Sequence, residues 1–403
     1  GTGKNKTGVA FDNYVYKTYK KQMGLACREL FAQFFIRIYD EIPTSVLAEF
    51  STLKILQAPN FRDFRQAFRA KLGRNFIVPA NSFDNVKGQF PIGFFIWDTN
   101  QKEVFEETTT TIYDSKGEEL GNKLISSYLN DTNVIVWLRQ YYDKQGESIG
   151  FLRMNGTNIQ NNLGIYITSK LSDNDIHNHF YAEITKTNIL PMCIYLSIRE
   201  TVNANWINDR DQYLVPSSKW EDDKEFQYNC LIHSLFSGQN RIQSQHGTNH
   251  WIPFSEEEVG AQDNFESHFI HDFIMGKVKE EKPQQKETMQ DLFAEQEPQT
   301  TGGSSFTPTG PLEFSQEAQA VLDAGRELWR YYHKQAGANP NASYYDIKMH
   351  FQGTKTTKSG KLQMNSTSED ATYNTLLANL RQAMKGLAAH IEPKVYEYGF
   401  LKK

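Results

Sequence analysis

Between Phe11 and Trp97 the apolar residues change their spacing repeatedly, and that alternation limits the fold more than any other feature of the chain. Phe11 to Gln22 and Leu25 to Tyr39 carry helical spacing, the second with Leu30, Phe31, Phe34, Phe35 and Ile38 inward. Ser45 to Phe50 is short and mostly apolar, as a strand is, and Phe61 to Lys71 returns to a helical stripe of Phe61, Phe64 and Phe68. Asn75 to Pro79 and Ile92 to Trp97 read as two more buried strands. Helix, strand, helix, strand, strand predicts α/β architecture, the second half of a doubly wound sheet. The βα units that normally open such a sheet do not precede Phe11.

The pattern changes after residue 102. From Glu103 to Ile274 it is mixed, with strands expected at Asn133–Tyr142, Ile149–Met154, Leu163–Thr168 and His179–Thr185, parted by turn signals such as Asp143-Lys-Gln-Gly. Lys277 to Pro311 is rich in Glu, Gln, Lys, Pro, Gly and Thr and has little to bury, so it reads as a flexible linker with one short helical turn near Leu292–Phe293. Two amphipathic helices follow: Glu313–Gln335, and Asp370–Ile391 with Pro393 as its stop. The expected division is 1–102 α/β, 103–276 mixed α+β, 277–311 linker and 312–403 a small helical domain. The helical domain serves either simple packing or specific binding of a partner or DNA.

Composition excludes some classes. The longest apolar run, Phe90 to Trp97, is eight residues, well short of a membrane span. Cys27, Cys193 and Cys230 cannot all pair within one chain and lack zinc-framework spacing, which favours a reducing, cytoplasmic setting. The opening Gly-Thr-Gly-Lys-Asn-Lys has no apolar leader core and looks like a cut edge. A net charge of −5 leaves room for a local basic groove.

Such a groove has a candidate. From Lys54 to Arg74 six cations face the single acid Asp63, a local balance of +5, and Arg62, Arg65 and Arg69 share one helical face. Guanidinium groups one turn apart suit successive backbone phosphates; a solvated helix face is the plainer alternative. In Asn81–Trp97 a polar loop carrying Lys87 ends in Phe90-Pro91 and runs into an apolar strand. Proline restricts its neighbour, so Phe90 is either a core ring or one held at a sheet end, free to stack on an extruded base. Cys230/His233, His246/His250 and His268/His271 have ligand-like gaps without completing carboxylates, so no metal is expected. In Gly1–Gly8, Asn5 follows Lys4 where a phosphate loop needs Ser or Thr, and no strand precedes it.

Leu30-Phe-Ala-Gln-Phe-Phe35, the strand at Ser45–Phe50, the basic helix at Phe61–Lys71 and Gln89-Phe-Pro-Ile92 together resemble, in this order, the later motifs of N6-adenine DNA methyltransferases of the restriction–modification type. Phe76–Asp98, Trp206-Ile-Asn-Asp-Arg-Asp-Gln212, Asn249-His-Trp-Ile-Pro-Phe254 and the tail from Ser315 to Phe400 extend the resemblance over most of the chain. It implies a partial methyltransferase sheet followed by a target-recognition domain. Phe34 would wall the adenine of S-adenosylmethionine, and Phe90, with Pro91, would stack on a flipped target adenine. Arg210 would read groove edges beside the electrostatically chosen Arg62, Arg65, Arg69 and Lys87.

The family's catalytic Asn/Asp-Pro-Pro-Tyr/Phe tetrapeptide occurs nowhere in the chain, nor does its glycine-rich cofactor loop. The resemblance therefore implies the downstream part of a DNA adenine methyltransferase. Its partners would be double-stranded DNA and a missing N-terminal half that binds most of the cofactor, and it would be inactive alone. The alternative is a non-enzymatic DNA-specificity module working with a separate methylase or nuclease. No Asp…Glu-x-Lys constellation for a nuclease stands out.

Overall fold

The computed structural model describes residues 11–143, 145–278, 308, 310–357, 360 and 362–402. The expected linker falls almost wholly outside the described residues, as do Leu292–Phe293 and the Gly1–Gly8 opening.

The first body begins with α1 (Tyr14–Met23), where the Asn13 side chain accepts the Tyr16 N–H, and α2 (Leu30–Glu41). Then come β1 (Val46–Thr52), the short α3 (Lys54–Gln57) and α4 (Arg62–Ala67), and β2 (Ala70–Pro79) with β3 (Pro91–Lys102). β3 lies between β1 and β2 and runs antiparallel to both, so β1 and β2 are parallel to each other and joined by a helical crossover. A sheet this far is α/β in character, with one antiparallel member. The expected helix Phe61–Lys71 is shorter than its stripe: it ends at Ala67, and β2 already begins at Ala70.

The sheet does not stop at residue 102. β4 (Glu107–Tyr113) pairs parallel with β2, and β5 (Glu119–Ser126) closes against β4, giving the order β1-β3-β2-β4-β5. The threonine run in β4 is β-branched and suits a half-buried ladder. One face packs on the helices: Phe95, Trp97 and Ile77 are buried against Phe35, Phe64 and Phe68, with Ile112 and Ile125 in the same core.

A second core runs from Val134 to Leu401 and joins the expected recognition region to the C-terminal helices. The two cores thus divide the chain between Ser126 and Val134, not at residue 102, and leave no separate helical domain. The expected strand Asn133–Tyr142 is instead α5 (Val134–Arg139), which Asn133 caps by accepting the Ile135 N–H. β6 (Ser148–Met154), β7 (Tyr166–Thr168) and, after α6 (Asp173–Asn178), β8 (Phe180–Thr185) form a sheet completed by β9 (Asn240–Arg241). α7 (Ile189–Thr201) and α8 (Lys224–Phe236) fill its centre, and the short α9 (Glu256–Val259) and α10 (Phe269–Ile274) flank it.

α11 (Gln316–His333) and α13 (Ala371–Glu397) then pack over α7 and α8, while α12 (Tyr344–Gln352) packs against β9 and is followed by the β10–β11 hairpin (Thr354–Thr356, Leu362–Met364). Pro393 does not end α13. Val395, Tyr398 and Phe400 beyond it are buried in the second core, and that packing carries the helix past a residue without an N–H. Among the described residues no helix is long and apolar enough to cross a membrane.

Candidate nucleic-acid interface

In open α/β sheets ligands sit outside the carboxyl ends of parallel strands. Here those ends are Thr52 of β1 and Pro79 of β2, and the register pairs Thr52 with Ile92 and Pro79 with Pro91. Phe90 therefore stands at that rim. Its carbonyl accepts the Ala80 N–H at 2.8 Å, closing the loop, while its ring is half-buried rather than sealed in the core. Residues 81–89, including Lys87, are exposed.

α2 points its first turn at the same rim, because Lys54, just past β1, pairs with Glu29 at 3.3 Å. Leu30 and Phe34 do not turn inward as expected. Phe34 is 61% exposed, and the inward face is carried by Ala32, Gln33, Phe35 and Ile36. Too many apolar residues lie on this helix for one buried stripe, and the surplus faces out. β1 is the free edge of the sheet, paired with no described strand on its outer side.

The sheet face away from the helices is aromatic. Phe50 packs on Phe94 at 4.8 Å, Phe94 on Phe76 at 5.3 Å, and Phe76 on Tyr113 at 5.7 Å, in the order of the strands. Phe83 of the loop folds over Phe50 at 5.2 Å, yet Phe50 stays 51% exposed. Sequence reading missed Phe50 and Phe83 as surface rings; the alternation Phe50–Thr52 against Ile92–Phe94–Ile96 was the available signal. Glu49 on β1 was missed too. Burial lifts its carboxyl to about 7, and its Oε2 has no hydrogen-bond partner.

The basic helix needs correction. Arg62 and Arg69 are exposed, but Arg65 is 3% exposed and points into the first body. Its Nη2 donates to the Ser127 carbonyl at 2.9 Å, and its Nη1 to Ala58 and Ile55 carbonyls at 3.0 and 3.3 Å. Burial, with Arg62 nearby, pulls its pKa down to about 10. Arg65 is a fastener between the crossover and the end of β5, and no phosphate reaches it. Arg69 lies beyond the end of α4, so the three arginines do not form one helical row.

Arg210 is likewise committed. Its Nη1 donates to Gln160 at 2.6 Å and its Nε faces Asp209 at 3.6 Å. The surrounding segment is the junction between bodies: Asp211 accepts Lys123 at 2.6 Å and Gln57 at 3.0 Å, while Trp206 and Ile207 pack against the first core. Asn249–Phe254 is also structural, with Trp251 Nε1 donating to the Ile149 carbonyl at 2.7 Å.

Except for the exposed His246, the paired histidines are engaged in the fold. His233 is buried beside Ser197 and held down to about 4 by burial, His250 meets Ser267 at 2.7 Å, and His268 meets Glu256 at 2.8 Å. Among the described residues no three His, Cys, Asp or Glu side chains gather as a metal would require. Comparison with protein-family models, with curated proteins and with solved structures finds no match to this chain.

Proposed function

We propose that this chain is the downstream, DNA-recognising part of an N6-adenine DNA methyltransferase of the restriction–modification type. On this reading the first body contributes the target-base side of the catalytic fold and the second contributes recognition. A partner half holding the Asn-Pro-Pro-Tyr loop would complete the site and bind most of the S-adenosylmethionine, with Phe34 lining its adenine. The observation that carries the reading is Phe90, a half-buried ring held by Pro91 at the carboxyl end of a parallel strand pair whose sheet stays open at β1. A half-buried ring at such a rim suits stacking on an everted purine.

Chemistry is divided accordingly. No residue of this chain supplies the acceptor groups for an adenine amino group that the resemblance requires, so the chain alone binds and does not methylate. Arg62, Arg69 and Lys87 are exposed cations suited to backbone phosphates, Lys87 in the loop at the rim and Arg69 at the opposite, amino end of β2. The test is a gel shift of the full chain on duplex DNA. Changing Arg62, Arg69 and Lys87 together to alanine should weaken binding to every sequence and flatten its salt dependence, whereas Phe90→Ala should leave binding nearly intact. A wild-type chain that binds no duplex at low salt overturns the proposal.

A further inference from the structure

The two faces of the five-stranded sheet are covered unequally. Along β3 the burial alternates strictly: Gly93, Phe95 and Trp97 are buried on the helix side, while Ile92, Phe94 and Ile96 on the opposite side are only half-buried. The register carries that opposite side across the sheet. Phe94 pairs with Phe50 of β1 and Phe76 of β2, Phe76 pairs with Thr111 of β4, and Leu124 of β5 stands on the same side beside them. The rings of Phe50, Phe94, Phe76 and Tyr113 already touch in strand order, at 4.8, 5.3 and 5.7 Å, so they present one continuous aromatic surface. Phe83 reaches over the β1 end alone, 5.2 Å from Phe50, and the two flanks stay open, with Phe50 51% and Leu124 43% exposed.

A sheet with parallel pairing is normally covered on both faces, and a contiguous apolar patch of this kind marks a contact surface. Its chemistry narrows the occupant. The residues paired across its middle are uncharged, and two acids, Asp98 and Glu107, stand at one end of it. Nucleic acid would need cations there for its phosphates, and this face offers rings and acids instead. Its size is also defined. Five strands about 4.8 Å apart, paired over about seven residues, give a footprint of about 550 Å². Two such footprints bury about 1,100 Å², above the roughly 1,000 Å² that a specific protein interface needs.

We infer that the aromatic face is the docking surface for a second copy of this chain, the two sheets packed face to face about a two-fold axis. An isologous contact sets a patch against itself, and an uncharged apolar face is its own complement. Sheets packed in this way interdigitate their inner side chains across about 10 Å. β3 and β2 occupy the middle of the sheet, so Phe94 and Phe76 form the centre of the contact and Phe50 and Leu124 its flanks. The inference stands apart from the DNA reading, which uses the Phe90 rim and the free edge of β1 rather than the face of the sheet.

The test is sedimentation velocity of the full chain across the micromolar range, for wild type, Phe50→Asp, Leu124→Asp and the control Leu163→Asp. Phe50 and Leu124 are exposed in the single chain, so either variant keeps its fold, which circular dichroism checks; two positions on different strands keep the test valid if one fails. Leu163 lies in the second body and is 84% exposed, an apolar residue away from the sheet. The wild type is expected to dimerise, and sulfate is expected to tighten the dimer, as for an apolar contact. Each face variant should raise the dissociation constant at least about tenfold, because it would bury an unpaired carboxylate, and Leu163→Asp should leave it unchanged. A wild type that stays monomeric throughout overturns the proposal, as does a dimer that survives both face variants or that Leu163→Asp weakens equally. A monomer whose duplex binding is lost in both face variants also overturns it and gives the face to nucleic acid.

Discussion

Arg65→Met separates a structural arginine from a DNA-binding one. The substitution removes a buried guanidinium and its bonds to the carbonyls of Ser127, Ala58 and Ile55. Ala58 keeps a second donor, the Phe61 N–H at 3.0 Å, so the Ser127 and Ile55 carbonyls bear most of the loss. Three bonds to a charged donor at about 1.5 kcal/mol each, less about 1–2 kcal/mol regained by not burying a charge, leave a net cost of about 3 kcal/mol. A global denaturation curve averages the first core with the second core of Val134 to Leu401 and is the wrong readout. Native-state hydrogen exchange resolved to β2 and β3 is the right one. About 3 kcal/mol corresponds to roughly a hundredfold faster exchange there, with β6–β8 unaffected. Exchange altered less than tenfold, together with weakened duplex binding by Arg65→Met, would return Arg65 to the phosphate-contacting set and refute the reasoning.

The remaining expectations follow from the same environments. Glu49 holds a proton near neutrality in the fold that the unfolded chain gives up near its ordinary carboxylate range. Its contribution is therefore complete below that range and is lost as pH rises through about 7, so Glu49→Gln should remove this decline when urea midpoints of the first body are compared near pH 5 and pH 8. Lys123→Met leaves Asp211 buried with Gln57 alone and should loosen the junction by about 3 kcal/mol, read as faster exchange of residues 206–212. Phe90→Ala should move the melting temperature by only a few degrees, because a half-buried ring contributes about 1 kcal/mol; a large loss would mean the ring is core.

How far the sequence could be read depended on whether each residue has a single plausible environment. Phe35, Phe64, Phe68 and Trp97 followed their periods into the core, and β1, β3, β6 and β8 stood close to where alternation put them. Charge spacing failed at Arg65, because a long side chain reaches carbonyls as readily as solvent and its pattern is the same either way. Val134-Ile-Val-Trp-Leu138 has strand composition, yet the Asn133 cap and the core around Trp137 make it a helix. α7 and α8 gave no amphipathic signal because nearly all their side chains are buried.

The central claim is an incomplete enzyme that carries its target-base ring without the groups that act on the base. Transfer of the labelled methyl of S-adenosylmethionine to duplex DNA of mixed sequence, with the full chain as the sole protein, measures it most directly. The account predicts DNA binding with no methyl transfer above background. Methylated adenine formed by this chain alone would contradict it.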